Sequence, residues 1–429
     1  MTSSRITRRT LLGSAAAVVA TASFVPLRPV AAQGKQKGKA EPSQIDGVLQ
    51  RAVDAKQVPG VVAMAANGRG VFYEGAFGTR DLAQGPAMSA DTIFRLASMT
   101  KAMTSVAALQ LVEQGKLDLD KPIGNVVPEL AAPQVLDGFD DAGAPRLRPA
   151  KRPITLKHLL THTAGFGYEV WDADLVRYVK ASGIPSTTTA KLASLRLPLV
   201  FDPGERWEYG INIDWVGRAI EAVTGQQLAV YFRQNILGPL GMADTDYAIS
   251  PAQQQRLVRV HQRKPDGALE PITPTDPPWR EFWSGGGGLY STARDYMAFL
   301  QMLMNQGRFR SGQLLQPKTV ALMNQNQIGD IAAGILKTTT PSRSNDVDFF
   351  PGIPCRWGLA YMINTQPDPN GRSAGSLTWA GIFNTYYWLD SQKHVAGVFM
   401  TQVLPFADGP AVQIYGDFEK AVYSALATV

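Results

Sequence analysis

Apolar runs of strand length lie near both ends of the chain. Residues 61–65 and 71–77 form two such runs, and the polar Asn-Gly-Arg-Gly segment between them predicts a β-hairpin. Residues 377–380, 385–389 and 395–401 are rich in β-branched and aromatic side chains and predict three further strands. The pattern therefore places strands at the two ends of the chain.

Helical patterns fill most of the chain between those strands. Helices are predicted at residues 43–56, 98–114, 156–160, 213–223, 292–305 and 410–425. Thr292 and Asp295 have capping-box spacing, and Gly115 is a plausible cap at the end of the second helix. We expect an α/β fold of the α+β type, with one antiparallel sheet built from the N- and C-terminal strands and flanked by helices. The middle of the chain, about residues 120–300, is expected to form a mostly helical lobe.

The first residues have the pattern of an export signal. Arg8 and Arg9 form a twin-arginine pair, an apolar run covers residues 11–25, and small residues end at Ala32. We predict a signal peptide at residues 1–32, a flexible leader at 33–44 and a folded domain at 45–429. The apolar run is short and rich in alanine, so no stable membrane span is expected. The mature protein is predicted to be periplasmic or secreted.

Composition and charge exclude several classes of function. The formal net charge is +6, but Arg5, Arg8, Arg9 and Arg28 all lie in residues 1–32, which hold no acid. The mature chain therefore has a net charge near +2, which gives no reason to expect nucleic acid as a partner. Cys355 is the single cysteine, and none of the four histidines has metal-ligand spacing. We expect neither a metal nor a cofactor, and the oligomeric state stays open.

Ser98 and Lys101 are the first candidates for chemistry. Residues three apart on a helix share one face, so the lysine can reach the serine hydroxyl. A serine becomes a nucleophile when a base takes its proton, and a deprotonated lysine is such a base. The free N–H groups at a helix start also suit a developing oxyanion. The spacing alone also fits a serine that caps a helix beside a solvated lysine.

The surrounding sequence resembles a known superfamily. Residues 94–101 resemble the nucleophile segment of the serine β-lactamases and penicillin-binding proteins, and residues 106–123 and 154–165 fit its class C branch. The resemblance extends over about residues 45–425. It implies that Ser98 is the nucleophile, that Lys101 assists it, and that Tyr209 is the family tyrosine acting as a general base. Which of Lys101 and Tyr209 is the main base is left open.

Two departures from the β-lactamase pattern bear on the substrate. The Tyr-x-Asn motif has Ile211 in its third position, and Asn212 comes one residue late. Trp379-Ala380-Gly381 replaces Lys-Thr-Gly and resembles the corresponding motif of the family VIII carboxylesterases. That resemblance implies an oxyanion hole made of the backbone amides of Ser98 and Ile382. Because Ile211 and Trp379 make the pocket apolar and remove a cation, we expect it to favour a neutral ester over a carboxylate.

Other segments are assigned by the same reasoning. Tyr168 and Trp171 follow the His-Thr-Ala-Gly segment, which borders the site in relatives, so they are predicted to line the pocket with Ile211, Trp379 and Gly381. Ser373 lies in a Gly-x-Ser-x-Gly pentapeptide, but the segment leads from a loop into a strand and lacks the required elbow. The glycine run at residues 285–288 lacks the Lys-Ser/Thr of a phosphate loop and more plausibly lets backbone pass close to other groups. His162 is expected to be structural.

The sequence thus predicts a serine hydrolase, specifically a carboxylesterase that cleaves small or medium neutral esters through an acyl-enzyme on Ser98. Its partner is a small-molecule ester, and an alcohol acceptor would make it a transferase. The alternative is an amide hydrolase of the same fold: a weak β-lactamase, a D-amino-acid peptidase or an enzyme resembling 6-aminohexanoate-dimer hydrolase. A third hypothesis is a non-catalytic sensor of the penicillin-binding type.

Overall fold

The computed structural model describes residues 43–82, 85–274, 280–310 and 312–426. The predicted signal peptide at residues 1–32 lies outside the described residues, as does the predicted leader up to residue 42. Ser43 and Gln44, the last two positions of that leader, are the N-cap and the first residue of the first helix. Within the described residues, no helix is both long enough and apolar enough to cross a bilayer.

The six predicted helices form, with end points shifted by a few residues, and the described ranges contain five further α-helices that were not predicted. The α-helices of the described ranges are α1 (Gln44–Asp54), α2 (Thr100–Glu113), α3 (Leu156–Leu160), α4 (Ala173–Ser182), α5 (Asn212–Thr224), α6 (Leu228–Phe232), α7 (Gly238–Leu240), α8 (Pro251–Gln254), α9 (Ala293–Met304), α10 (Pro317–Met323) and α11 (Gly409–Leu426). Ser43 and Thr292 each cap the helix that follows, by accepting a hydrogen bond from the backbone N–H three residues on.

Strands account for both ends of the chain and for short pairs in its middle. They are β1 (Gly60–Asn67), β2 (Gly70–Gly78), β3 (Phe94–Arg95), β4 (Gln134–Phe139), β5 (Pro145–Pro149), β6 (Val260–Arg263), β7 (Leu269–Ile272), β8 (Tyr290–Ser291), β9 (Arg308–Phe309), β10 (Gly312–Gln313), β11 (Cys355–Trp357), β12 (Met362–Asn364), β13 (Leu377–Gly381), β14 (Thr385–Asp390), β15 (Val395–Met400) and β16 (Val403–Leu404).

The main sheet joins the two ends of the chain, as predicted. In the described residues it has seven strands in the order β11-β12-β13-β14-β15-β1-β2, and every neighbouring pair is antiparallel. Helices cover both of its faces: Tyr387 of β14 packs on Tyr296 of α9, whereas the next residue, Trp388, packs on Phe418 of α11. Alternation along a strand puts these two side chains on opposite faces, so β14 is buried throughout.

Helix α2 lies in the interior. Its residues from Thr100 to Leu111 are all buried, which explains why apolar side chains occur around its whole circumference. The predicted helix at residues 98–114 is confirmed with one change. Ala97–Met99 forms a 3₁₀ turn, and the α-helix begins at Thr100. The turn follows directly on β3, which pairs with β8, so the start of the helix is held between fixed elements.

The middle of the chain carries β-structure that the sequence did not predict. Strands β4 and β5 form an antiparallel pair, and β6 pairs with β7 on one side and with β16 on the other. Strands β4, β5, β6 and β7 are four to six residues long, and β5 is a Pro-Arg-Leu-Arg-Pro segment with no buried residue. Such segments lack the apolar runs from which β1, β2, β13, β14 and β15 were predicted. Strands β11 and β12 of the main sheet, each three residues long, were not predicted either.

Candidate active site

The nucleophile turn is held by backbone contacts on both sides. Leu96 N donates to Leu289 O over 2.9 Å, and the hydroxyl of Tyr296 donates to Met99 O over 3.0 Å. Ala97 has a positive φ of 45°, a left-handed conformation that is strained for a residue with a Cβ and that clusters at functional sites. Ser98 is half-buried in this turn, while Met99 behind it is fully buried. The turn therefore presents the serine at the start of a buried helix.

Lys101 lies one turn further along, as the spacing predicts. Its side chain is only 2% exposed, and Nζ lies within hydrogen-bonding distance of Ser98 Oγ, at 3.3 Å. The same nitrogen donates to the hydroxyl of Tyr168 over 3.1 Å and to the carbonyl oxygen of Gly286 over 2.7 Å. A solvated surface lysine is thereby excluded, because a buried amine with three polar partners is fixed in position.

Tyr209 lies against the other side of Lys101. Nζ is 4.8 Å from the centroid of the tyrosine ring, and the tyrosine itself is buried. Its hydroxyl oxygen accepts a hydrogen bond from the indole N–H of Trp379 over 3.1 Å. The three residues expected to carry the chemistry therefore meet at one place, although they come from the turn before α2, from α2 and from the loop before α5.

An aromatic wall surrounds Tyr209 and contains most of the predicted pocket residues. Ring centroids of Trp379, Tyr168 and Trp171 lie 4.7, 5.4 and 5.5 Å from that of Tyr209. Trp207 and Trp357 belong to the same wall, and each packs edge-to-face against Trp379. Sequence reasoning missed these two residues. Trp207 could have been found from the sequence because it lies two positions before Tyr209, whereas nothing in the sequence around Trp357 connects it with the site.

Gly381 ends β13 against the nucleophile turn. A Cβ at this position would lie 2.3 Å from Leu96 O and 2.4 Å from Thr385 Oγ1, so only glycine allows this approach. Ile382 follows and is half-buried. This contact brings the end of the strand beside Ser98, while the oxyanion role of the Ser98 and Ile382 amides stays a prediction. Ile211 is fully buried just before α5, and its contribution to the pocket also stays a prediction.

Asn212 does not take the place of the missing motif asparagine. Its Nδ2 lies 3.0 Å from His162 Nδ1 and donates to Phe166 O over 3.1 Å, so the amide is engaged with the segment after α3. His162 is buried, and burial together with the charge of Lys101 lowers its pKa well below the usual value. A neutral histidine packed against Trp207, Tyr209 and Trp357 agrees with the structural role expected for it.

Asp214 is a site residue that the sequence did not reveal. It lies in the first turn of α5, is 5% exposed, and accepts hydrogen bonds from Ser284 Oγ over 2.5 Å and Gly286 N over 3.0 Å. The glycine run makes this possible, since a Cβ on Gly285 would lie 2.3 Å from Ile213 O. The run thus lets backbone pass close to other groups, as expected. An acid in the first turn of a helix is too common to have marked Asp214 beforehand.

A pair of acids lies behind the aromatic wall. Glu208 precedes Tyr209, and Asp172 caps α4 by accepting a hydrogen bond from Leu175 N. Both face Gly167, where a Cβ would lie 3.6 Å from a carbon of each side chain. Burial, followed by the charge of Asp172, raises the pKa of Glu208 to about 7, with Arg206 opposing the rise. Burial also raises the pKa of Asp172.

The fold and these contacts define a serine hydrolase: a half-exposed serine begins a buried helix, with a buried lysine one turn on and a tyrosine over that lysine. The chain belongs to the Beta-lactamase family, whose family model matches residues 45–421. The superfamily resemblance and the α/β fold predicted from the sequence are thereby confirmed. Its curated relatives include a methylbutanoyltransferase and an esterase, and this chain is a serine ester hydrolase by class.

Curated relatives cover nearly the whole domain. A monacolin J acid methylbutanoyltransferase of Aspergillus terreus is 33% identical over 399 residues, which is 89% of this chain and 95% of the relative. A lovastatin esterase of Penicillium rubens is 32% identical over 379 residues, 85% of this chain and 94% of the relative. Among solved structures, a simvastatin synthase variant from Aspergillus terreus has a TM-score of 0.77 at 33% identity, covering 90% of this chain and 95% of that one.

Proposed function

We propose that this protein is a carboxylesterase that cleaves small or medium neutral esters through an acyl-enzyme on Ser98. The observation that carries the proposal is the hydrogen bond from Trp379 to Tyr209. Where a β-lactamase has a lysine that would hold a carboxylate, this chain has an indole whose N–H is committed to the catalytic tyrosine. A wall of tryptophan and tyrosine rings suits an uncharged acyl or alcohol group.

The proposed reaction uses the residues around Ser98. Its Oγ attacks the ester carbonyl, and the backbone amides of Ser98 and Ile382 hold the oxyanion. Lys101 and Tyr209 share the proton transfers, from the serine to the departing alcohol and from water in the second half of the reaction. Tyr168 and Trp171 border the acyl or alcohol group.

Transfer to an alcohol is a second candidate, favoured by the relatives. One is named as a methylbutanoyltransferase and another as an esterase, at nearly equal identity to this chain. The two reactions share the acyl-enzyme and differ only in whether water or an alcohol attacks it. In this chain the balance between them is proposed to depend on how well the aromatic wall binds an alcohol relative to water.

A substrate panel tests both candidates. Mature enzyme is given p-nitrophenyl esters of increasing acyl length, matched p-nitroanilides and a chromogenic β-lactam, with Ser98→Ala as the comparison. We expect turnover of esters, far slower turnover of amides and β-lactam, and a loss of at least about 10³-fold in Ser98→Ala. An active Ser98→Ala variant would contradict the proposal, and so would faster turnover of anilides than of esters. New esters detected by mass spectrometry after adding alcohols would establish transfer.

We further infer that the enzyme works outside the cytoplasm. The twin-arginine pattern at Arg8 and Arg9 supports this inference. Fractionation of cells expressing the full chain, with Arg8→Lys and Arg9→Lys together as the comparison, tests it. We expect the wild-type protein outside the cytoplasm and the double variant inside. Equal distribution of the two proteins would contradict the inference.

A further inference from the structure

A buried carboxylate, that of Asp214, is bonded to the same residue as Lys101: both form hydrogen bonds with the backbone of Gly286. Asp214 Oδ1 accepts hydrogen bonds from Ser284 Oγ and Gly286 N, which fixes the orientation of the carboxylate. Its second oxygen and the Tyr168 hydroxyl both border Gly286, where an added Cβ would lie 2.6 Å from Asp214 Oδ2 and 3.0 Å from the hydroxyl, and the two side chains interact by a hydrogen bond. A glycine at 286 therefore leaves room for the carboxylate and the phenol to meet.

The hydrogen bonds of the Tyr168 hydroxyl have defined directions. Burial and then the charge of Asp214 raise the pKa of Tyr168 well above its usual value, so the hydroxyl keeps its proton. A carboxylate can only accept hydrogen bonds. The O–H of Tyr168 is therefore directed at Asp214, and the phenol oxygen is left to accept from Lys101 Nζ, 3.1 Å away.

Counting hydrogen bonds at Lys101 then fixes where its lone pair lies. The nitrogen has three polar neighbours: Gly286 O, the Tyr168 hydroxyl and Ser98 Oγ. The carbonyl oxygen of Gly286 can only accept a hydrogen bond, and the Tyr168 oxygen accepts because its own O–H is directed at Asp214. A deprotonated amine has two N–H groups, and these two neighbours use both. The lone pair is left for Ser98.

We propose that Asp214, acting through Tyr168, is a positioning residue that turns the lone pair of Lys101 toward Ser98. The proposal rests on the acyl-enzyme proposed above. As Ser98 Oγ bonds to the ester carbonyl carbon, its O–H bond breaks and the proton passes to Lys101 Nζ, giving an ammonium. When the tetrahedral intermediate collapses, the bond to the alcohol breaks and the alcohol oxygen takes up a proton. Lys101 is thus the base of the first step. Tyr209 protonates the leaving group and then takes up the proton held by Lys101, which returns both groups to their starting states.

Replacing the carboxylate of Asp214 by an amide reverses the direction of its hydrogen bond with Tyr168 and so tests the proposal. The amide of Asp214→Asn can donate to the oxygen of Tyr168, which frees the phenol proton to occupy the lone pair of Lys101. We expect kcat for a p-nitrophenyl ester to fall by about 10²-fold with KM within threefold, because a general base contributes about 10²–10⁴. Tyr168→Phe should lose a similar factor. The double variant should lose no more than the worse single variant, since Asp214 acts through that hydroxyl.

A matched control separates this role from general packing. Tyr231→Phe also removes a buried phenol oxygen, one bonded to Gln110, and should leave kcat unchanged. A folded Asp214→Asn variant with wild-type kcat, or a double variant whose losses multiply, overturns the proposal. If Asp214→Asn does not fold, Tyr168→Phe, which removes a single oxygen, provides the test: the expected loss of kcat supports the proposal, and a wild-type kcat overturns it. An active Ser98→Ala would overturn the acyl-enzyme itself, whereas a Ser98-dependent enzyme insensitive to both substitutions overturns this inference alone.

Discussion

The indole N–H of Trp379 donates a hydrogen bond to the phenol oxygen of Tyr209 over 3.1 Å. In the proposed reaction negative charge develops on this oxygen as Tyr209 gives its proton to the departing alcohol, and the indole N–H is placed to stabilise that charge. Trp379 belongs to the main sheet and Tyr209 to the loop before α5. The bond therefore ties the tyrosine to the rigid strand that also carries Gly381.

Trp379→Phe removes this donor and keeps an aromatic ring in the wall. We expect kcat for p-nitrophenyl esters to fall by about 10- to 100-fold, because a hydrogen bond to a charged group is worth about 1.5–3 kcal/mol. KM should change little, since the ring still packs. Trp357→Phe is the matched control: its indole N–H donates to Leu160 O instead, and kcat should stay within about threefold. Equal losses in the two variants would contradict the assignment.

Gly381→Ala introduces a Cβ where two atoms already stand within 2.4 Å. The end of β13 must move away from the nucleophile turn, which we expect to lower kcat by at least about 100-fold and to destabilise the fold by about 1–3 kcal/mol. Urea unfolding and ester kinetics measure the two effects. Gly409→Ala is the comparison, because a Cβ there would meet nothing within 4 Å and should change neither. Wild-type kcat in Gly381→Ala would show that the close approach is not required.

Glu208 makes stability depend on pH. Its pKa rises from 4.5 in the unfolded chain to about 7 in the fold, so folding favours the protonated acid. Stability should therefore decrease as pH rises from about 4.5 through 7, by at most about 3 kcal/mol, and Glu208→Gln should lack this decrease. Urea unfolding at pH 5 and pH 8 measures the difference. Glu205→Gln alters a more exposed acid nearby and should keep the wild-type dependence of the free energy of unfolding on pH. The same dependence in wild type and in Glu208→Gln would refute the assignment.

Ser373 is predicted to take no part in the chemistry. Its backbone N–H donates to Asp390 Oδ2 over 2.8 Å, and its carbonyl accepts from Ser376 Oγ, so the pentapeptide forms a turn before β13. Nearby, the buried pair of Arg372 and Glu419 holds this turn against α11. Ser373→Ala should retain kcat within twofold, whereas Ser98→Ala abolishes activity. A large loss in Ser373→Ala with intact circular dichroism would count against Ser98 as the sole nucleophile.

Local patterns made much of the fold predictable. Five of the seven strands of the main sheet were predicted from apolar runs, and the hairpin turn between β1 and β2 is specified by adjacent polar residues. The other two, β11 and β12, are only three residues long and were not predicted. Helix α3 covers the predicted residues 156–160 because its N-cap, Thr155, and its apolar residues are neighbours in the chain. The β4–β5 and β6–β7 pairs could not be predicted this way, since only four of their residues are buried and their pairing depends on tertiary contacts.

The active site, too, could be predicted only in part from the sequence. Ser98 and Lys101 lie one helical turn apart, so spacing and family resemblance were sufficient to select them. Asp214 acquires its role from α5, from the loop that carries Tyr168 and from the glycine run, which are far apart in sequence. No window of sequence contains that arrangement. The positions where Ile211 and Trp379 depart from the β-lactamase pattern were visible, but the hydrogen bond from Trp379 to Tyr209 was not.

The enclosure of α2 has a consequence for how the enzyme fails. All residues of this helix from Thr100 to Leu111 are buried, so local fraying cannot expose its middle to water. Its backbone amides should be among the slowest in the protein to exchange hydrogen for deuterium, opening only when the whole domain unfolds. Loss of Lys101 from its place beside Ser98 is then a global event, and heat should inactivate the enzyme and unfold it in a single transition.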